Sequence, residues 1–320
     1  MKLVVPFLLA LLLVGALPAT PAASATYERY AITVDGETAY GDLAYPTSGA
    51  PTTLLVFGHG CCGHFDQSGT VIPIAASYGA VAVAMEYRGA GGWDVMKGHR
   101  DLIAATLDLK ARFPTITRTI LWGISMGGET TGMAAAERPD LYQYWVDEFG
   151  VTNLVEEFAT LGTYPCGCPD SWMIAETGGT PLTAPQAYLD RSPALHTDAM
   201  VGLRHAYIVH GIGDPVVPIS MSRETYAGLV AHGIPASFTT VTTGCCGVQA
   251  PFTPVIGWQS VPGCEGTPAG TVCYPGPAAH DGRGGGPAYG IVDALLRGIE
   301  PDAGAPASEH VVDYTAGVTL

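Results

Sequence analysis

The segment Gly123-Ile124-Ser125-Met126-Gly127 sets a serine between two glycines, each two residues away. A serine hydroxyl is a weak nucleophile at neutral pH and needs an adjacent base. Ile120-Leu121-Trp122 just before it suits a buried strand, and Met126 to Glu137 just after it reads as a helix. A serine in so sharp a strand-to-helix turn projects its hydroxyl above a sheet. The helix N-terminus behind it favours developing negative charge. Only small residues two before and two after let strand and helix approach. The chemistry implied is nucleophilic attack through an acyl-enzyme.

In strand–serine–helix arrangements of this kind the acid and then the histidine follow the nucleophile along the chain. Val209-His210-Gly211-Ile212-Gly213-Asp214 places Asp214 in a Gly-rich turn just past a strand. That is the carboxyl edge, where open α/β sheets build their sites. Asp214 is the expected acid. A turn aspartate capping the next helix is the plain alternative, and Asp147, ending the preceding strand, is the reserve. Nine histidines compete for the base. His205 and His210 flank a strand, His59 belongs to a Gly-rich turn, His232 ends a helix and His310 lies in the tail. His280 follows the last expected strand and precedes the last helix, so it is the expected base, against the alternative of a surface-loop residue. Preorganised N–H groups must meet the oxyanion. Met126 N–H is one. The second is expected from Phe57-Gly58-His59-Gly60-Cys61-Cys62, with Cys61 N–H first and Gly60 next.

The elements that must hold these residues alternate along the chain. Tyr30–Val34 and Ala39–Tyr45 read as a hairpin around Asp35-Gly36. Buried strands are expected at 53–57, 80–85, 119–124, 144–149, 206–210 and 237–241. Helices are expected at 71–78, 95–112, 126–137, 220–232 and 288–297, followed by a polar tail. Such alternation predicts a mostly parallel sheet with helices on both faces and right-handed crossovers. Residues of about 152–200 and 243–285 break the pattern and read as two Cys-containing insertions in one domain spanning 26–320. Trp172 and Trp258, with Tyr164 and Phe252, lie in them and could line a substrate cleft or pack beneath a stapled loop.

Met1-Lys2, an apolar run to Leu17 and Ala23-Ser24-Ala25 have the order of a secretory signal, so residues 1–25 are expected to be removed. A secreted, extracellular protein with no membrane anchor after cleavage is the expectation. Hydrophobic content of 48% and charged content of 13% describe a globular chain. A net charge of −15 repels nucleic acid and anionic lipid. Eight cysteines read as disulfides in an oxidising compartment, with Cys264–Cys273 the best local pairing. Zinc is the competing reading of Cys166-Gly167-Cys168 and the Cys-Cys pairs. No C-x-x-C pair occurs, and neither metal nor cofactor is expected.

Leu54 to Gly60, Tyr87-Arg88-Gly89, Gly123 to Gly128 and Val209 to Asp214 together resemble the α/β-hydrolase superfamily. The branch resembled is that of prolyl-oligopeptidase-type and dienelactone-hydrolase-type enzymes. Ala187 to Pro193 is similar to a segment of the prolyl-oligopeptidase catalytic domain. Ser125-Met-Gly-Gly128 also occurs in cutinase-like polyester hydrolases. The resemblance covers about 50–150 and 185–295, and implies the α/β-hydrolase fold and the triad roles above. It leaves the substrate open: carboxylic ester first, then polyester or peptide, small or polymeric. The Cys-rich stretches depart from the common pattern.

Two rivals belong to other classes. Gly58-His59-Gly60-Cys61-Cys62-Gly63 matches G-x-G-x-x-G after a strand, with Glu86 ending the next, as in dinucleotide sites. The other is a non-catalytic binding protein on a hydrolase scaffold.

Overall fold

The computed structural model describes residues 24–61, 68–88, 93, 95–161, 170–214, 216–245, 275–277, 286–302 and 305–313. Residues 1–23 of the expected signal segment, Trp258, His280, Tyr164, Phe252 and the cysteines at 62, 166, 168, 246, 264 and 273 lie outside those residues.

Strands β1 (Ala25–Val34) and β2 (Glu37–Pro46) pair antiparallel along their full length. Asp35 and Gly36 between them have φ of 51° and 82°. Two positive φ values make the turn whose twist matches paired strands, which is why Asp-Gly signals a hairpin. β3 (Thr53–Gly58), α1 (Ser68–Ser77), β4 (Val81–Glu86) and α2 (Gly98–Arg112) follow. β5 (Arg118–Ile124), α3 (Met126–Glu137) and β6 (Tyr144–Glu148) carry the chain to the first insertion. The insertion forms α4 (Leu154–Leu161), α5 (Asp170–Thr177), α6 (Pro185–Leu189) and two short 3-10 turns. The chain returns through β7 (His205–Gly211), α7 (Ile219–Ala231) and β8 (Ala236–Cys245). It closes with β9 (Pro275–Pro277), α8 (Gly286–Leu296) and β10 (Ala307–Asp313).

The sheet runs in the order β1-β2-β4-β3-β5-β6-β7-β8-β10, with β9 beside β8. From β4 onward along this path every neighbour is parallel. Alternation along each strand sorts the core into two layers. Leu54, Val56, Leu121 and Ile208 face α2, α3 and α7, whereas Leu55, Phe57, Ile120 and Val209 face α1 and α8. Burial on both faces explains the near-continuous apolar runs of the parallel strands.

Two expectations are corrected here. The tail after the last helix is not merely polar: residues 307–313 form β10, parallel to β8. Its side chains are mostly exposed, with Val311 at 74%, so hydrophobic periodicity could not reveal it. The strand is fastened by Asp302, which accepts from Ser237 of β8 at 2.6 Å and from Ser308 of β10 at 3.2 Å, with His310 of β10 at 2.9 Å. The first insertion is also more regular than its Thr/Pro/Gly content suggests. Leu154, Glu157 and Leu161 recur at helical spacing and bury one face of α4.

Candidate active site

Ser125 stands at the junction of β5 and α3 with φ 55° and ψ −124°. Such a conformation costs a non-glycine residue roughly 1–3 kcal/mol and persists only where its surroundings enforce it. They do so through three backbone bonds. Ser125 N–H donates to Glu148 O at 3.1 Å, and Ser125 O accepts from Gly128 N–H at 2.8 Å and Val151 N–H at 2.9 Å. The flanking glycines are sterically required. A Cβ on Gly123 would overlap Gly127 O and Thr131 Oγ1, and one on Gly127 would overlap Gly58 O. Strand, serine and helix therefore close on one another without side chains between them.

Asp214 lies beyond the C-terminal end of β7, two strands from β5. Its Oδ1 accepts from Val216 N–H at 2.8 Å and Val217 N–H at 3.0 Å. Its Oδ2 lies 3.4 Å from His210 Nε2, and both side chains are fully buried. The carboxylate thus closes its own turn. It does not cap α7, which begins at Ile219 after Pro218 with no side-chain cap. His210 Nε2 also lies 2.9 Å from Val217 O, and Nδ1 lies 2.7 Å from Ser222 Oγ. A carbonyl only accepts, so the proton belongs on Nε2, and Ser222 donates to Nδ1. His210 is a buried prop for Asp214.

Asp147, the reserve acid, is buried beside Gly128 and Gly150, and among the described residues only the Gly150 amide is directed at its carboxyl. Burial pushes its carboxyl up to about 7, against the opposing pull of His210 and the Gly150 amide. Hydrogen bonds from two backbone amides favour a charged carboxylate. Asp214 has both.

Met126 opens α3, so its N–H is one of the unsatisfied first-turn donors. The loop His59-Gly60-Cys61 crosses that same turn: a Cβ on Gly127 would meet His59 O at 2.8 Å. Tyr87 stacks on the His59 ring at 4.2 Å between centroids, and its hydroxyl accepts from Thr130 Oγ1 at 3.0 Å. Gly60 O lies 2.8 Å from His59 Nδ1. In a trans peptide the following N–H, that of Cys61, points the opposite way. Cys61 is buried and disulfide-bonded, and no partner sulfur is among the described side chains. Arg88, next to Tyr87, is anchored to buried Asp101 through Nε at 2.6 Å and donates to Val34 O at 2.7 Å.

His280 falls outside the described residues. The chain just before it is placed, however, because β9 ends at Pro277 and pairs with the C-terminal end of β8. Trp172 is half-buried on α5 and packs against the core layer of α2 and α3. Glu86, the acid of the dinucleotide pattern, is ion-paired with Arg29.

Three buried carboxyls were not foreseen from the residues. Glu129 on α3, Glu148 on β6 and Glu157 on α4 are each pushed well above the usual carboxylate range by burial. Trp122 Nε1 donates to Glu148 at 2.9 Å. No hydrogen bond reaches Glu129 or Glu157. A glutamate in a helix ordinarily reads as solvent-facing, so only Glu157, between Leu154 and Leu161, left a periodic trace.

The profile of the prolyl oligopeptidase family matches residues 66–245. No curated protein matches the sequence. Among solved structures the chain is similar to puromycin hydrolase, at 17% identity and a TM-score of 0.61, covering 95% of this chain and 42% of that one. It is similar to an acylaminoacyl peptidase of Pyrococcus horikoshii, at 17% identity and a TM-score of 0.55, covering 68% of this chain and 37% of that one. An esterase of Pyrobaculum calidifontis matches at 15% identity and a TM-score of 0.59, covering 85% of both chains. The chain thus spans less than half the length of the first two proteins. At these identities the likeness shows the fold.

Proposed function

Because the chain belongs to the prolyl oligopeptidase family and is a serine hydrolase with the α/β-hydrolase fold, we propose that it cleaves carboxylic esters outside the cell through Ser125, Asp214 and His280. The observation that carries the reading is the strained elbow at Ser125, held open by three backbone bonds and two obligatory glycines.

In this reading the Ser125 hydroxyl attacks the ester carbonyl while His280 takes its proton. Asp214, propped by His210 and two amides, orients the imidazole and stabilises the imidazolium. Met126 N–H and Cys61 N–H meet the oxyanion. His280 then protonates the departing alcohol, leaving an acyl-enzyme at Ser125. Water, deprotonated by the same histidine, releases the acid. Extracellular action rests on the order of charge, apolar run and small residues at 1–25. Trp172, and with it Trp258, would border the acyl or polymer cleft.

Labelling with a fluorophosphonate probe, followed by mapping of the adduct, tests the nucleophile. An adduct on Ser125 that is lost in Ser125→Ala supports the reading. An active protein labelled elsewhere refutes it.

A peptidase reading is favoured by the family match itself. The same triad serves amides, since only the leaving group and pocket differ. Turnover of an acyl ester and the matching anilide separates the two, and a higher kcat/KM on the anilide would reverse the order. Polyester cleavage, suggested by Ser125-Met-Gly-Gly128, is read by soluble product released from a polyester film.

A further inference from the structure

Helix α4 opens the first insertion by placing a carboxyl where its periodicity calls for an apolar side chain. Leu154, Glu157 and Leu161 share the buried face, and both oxygens of Glu157 are buried and unpartnered. An ionised carboxylate without a donor is expensive in such a place, whereas a protonated carboxyl is tolerated.

The start of α4 lies against the segment that follows Asp214. Asn153 Nδ2 donates to Glu224 of α7 at 3.0 Å, and Thr225 Oγ1 donates to Thr152 Oγ1 at 2.8 Å. Ser220 donates to Glu156, and Leu154 shares a core layer with Val217. Asp214 acts electrostatically on Glu157, in the direction expected of a neighbouring negative charge. The other ionisable groups on the elements packed here do not compensate it. His210 of β7 is committed to Val217 and Ser222, and Arg223 of α7 is exposed. On α5, Asp170 is exposed and Glu176 accepts from Met96 N–H. Tyr188 of α6 donates to Gly179 O. Glu156 on α4 itself is a second acid.

Two buried carboxyls that act on one another from elements packed together cannot both ionise cheaply, and they titrate as a pair. Asp214 has two amide donors to hold a charge and Glu157 has none. We propose that Glu157 is a positioning residue for Asp214, a protonated carboxyl packed behind the acid so that the pair carries one negative charge. The inference rests on Asp214 being the acid of the triad. Ionisation of Glu157 as the pH is raised adds a second charge that acts on Asp214 and disturbs its hold on the base.

The test is the pH dependence of kcat and KM for p-nitrophenyl acetate, from about pH 5 to about pH 9.5, in four proteins. Wild type shows an alkaline inflection. Glu157→Gln, neutral and isosteric, keeps kcat near neutral pH and loses that inflection. Glu157→Met, apolar and unable to ionise, likewise keeps kcat near neutral pH and loses that inflection. Asp214→Asn loses about 10⁴-fold. Far-UV circular dichroism is read alongside, and the Gln profile alone decides if the Met variant unfolds. A wild-type inflection in Glu157→Gln or in folded Glu157→Met overturns the proposal while the triad stands. Full activity in Asp214→Asn overturns the triad reading, and the proposal with it.

Discussion

The amide of Ser125 donates to the carbonyl of Glu148 across 3.1 Å. The strained Ser125 is thereby fastened to the strand beside its own. The next residue, Phe149, is also left-handed, with φ 41°, and its N–H donates to Val209 O of β7 at 2.7 Å. Two strained residues thus tie the ends of β5, β6 and β7 together, at the edge where Asp214 follows.

Glycine at 127 is a steric necessity, because a Cβ there would overlap the carbonyl of Gly58. Gly127→Ala forces α3 away from β3. The expected loss is about 3 kcal/mol, the upper end for overpacking, together with loss of fluorophosphonate labelling. Urea unfolding read alongside labelling checks both. A variant with wild-type midpoint and labelling would show that the helix can shift freely.

Ser125→Ala removes the nucleophile and leaves the backbone bonds of the elbow in place. Turnover is expected to fall by about 10⁵–10⁶ while the unfolding midpoint is kept. Retained turnover would move the nucleophile elsewhere.

Asp214→Asn leaves the turn intact but supplies the wrong partner to the base, lowering kcat by roughly 10⁴. Asp147→Asn substitutes a carboxyl that burial already drives toward neutrality, so kcat should stay near wild type. The reverse ranking in steady-state kinetics would exchange the two roles.

Buried neutral carboxyls make stability fall as pH rises. Glu129, Glu148 and Glu157 have folded pKa values well above 4.5, and Asp147 rises from 3.8 to about 7. Between the unfolded and folded values the native state binds more protons than the unfolded chain. Each such group therefore removes up to about 1.4 kcal/mol of stability per pH unit across that window. The unfolding midpoint should decline from about pH 5 toward pH 8. Glu129→Gln should flatten the decline, and an unchanged slope would mean that Glu129 is ionised in the fold.

Cys61 carries a disulfide in the loop expected to supply an oxyanion donor. Reductant should lower the unfolding midpoint by the equivalent of about 2–4 kcal/mol and slow labelling of Ser125. Thiol titration against midpoint checks this. Newly titratable thiols with no change in midpoint or labelling would make the bond incidental.

The elbow, the hairpin and the parallel core could be read from residue order because their causes are local. Gly123 and Gly127 permit a turn that other residues cannot make, Asp35-Gly36 adopts positive φ, and runs such as Leu54 to Phe57 suit a strand covered on both faces. Tertiary structure decided what depends on neighbours far along the chain. Strand β10 exists because Asp302 gathers Ser237, Ser308 and His310, not because its own side chains are apolar. Asp214 and Asp147 differ in surroundings because the chain beyond β7 turns two amides onto the first carboxylate, whereas only the Gly150 amide is directed at the second. Glu157 has the spacing of a buried position but the side chain of a surface one, and α4 folds it against the core. Residue type sets which charges a chain carries; only packing sets the dielectric and the donors around each, and so which of them remain charged.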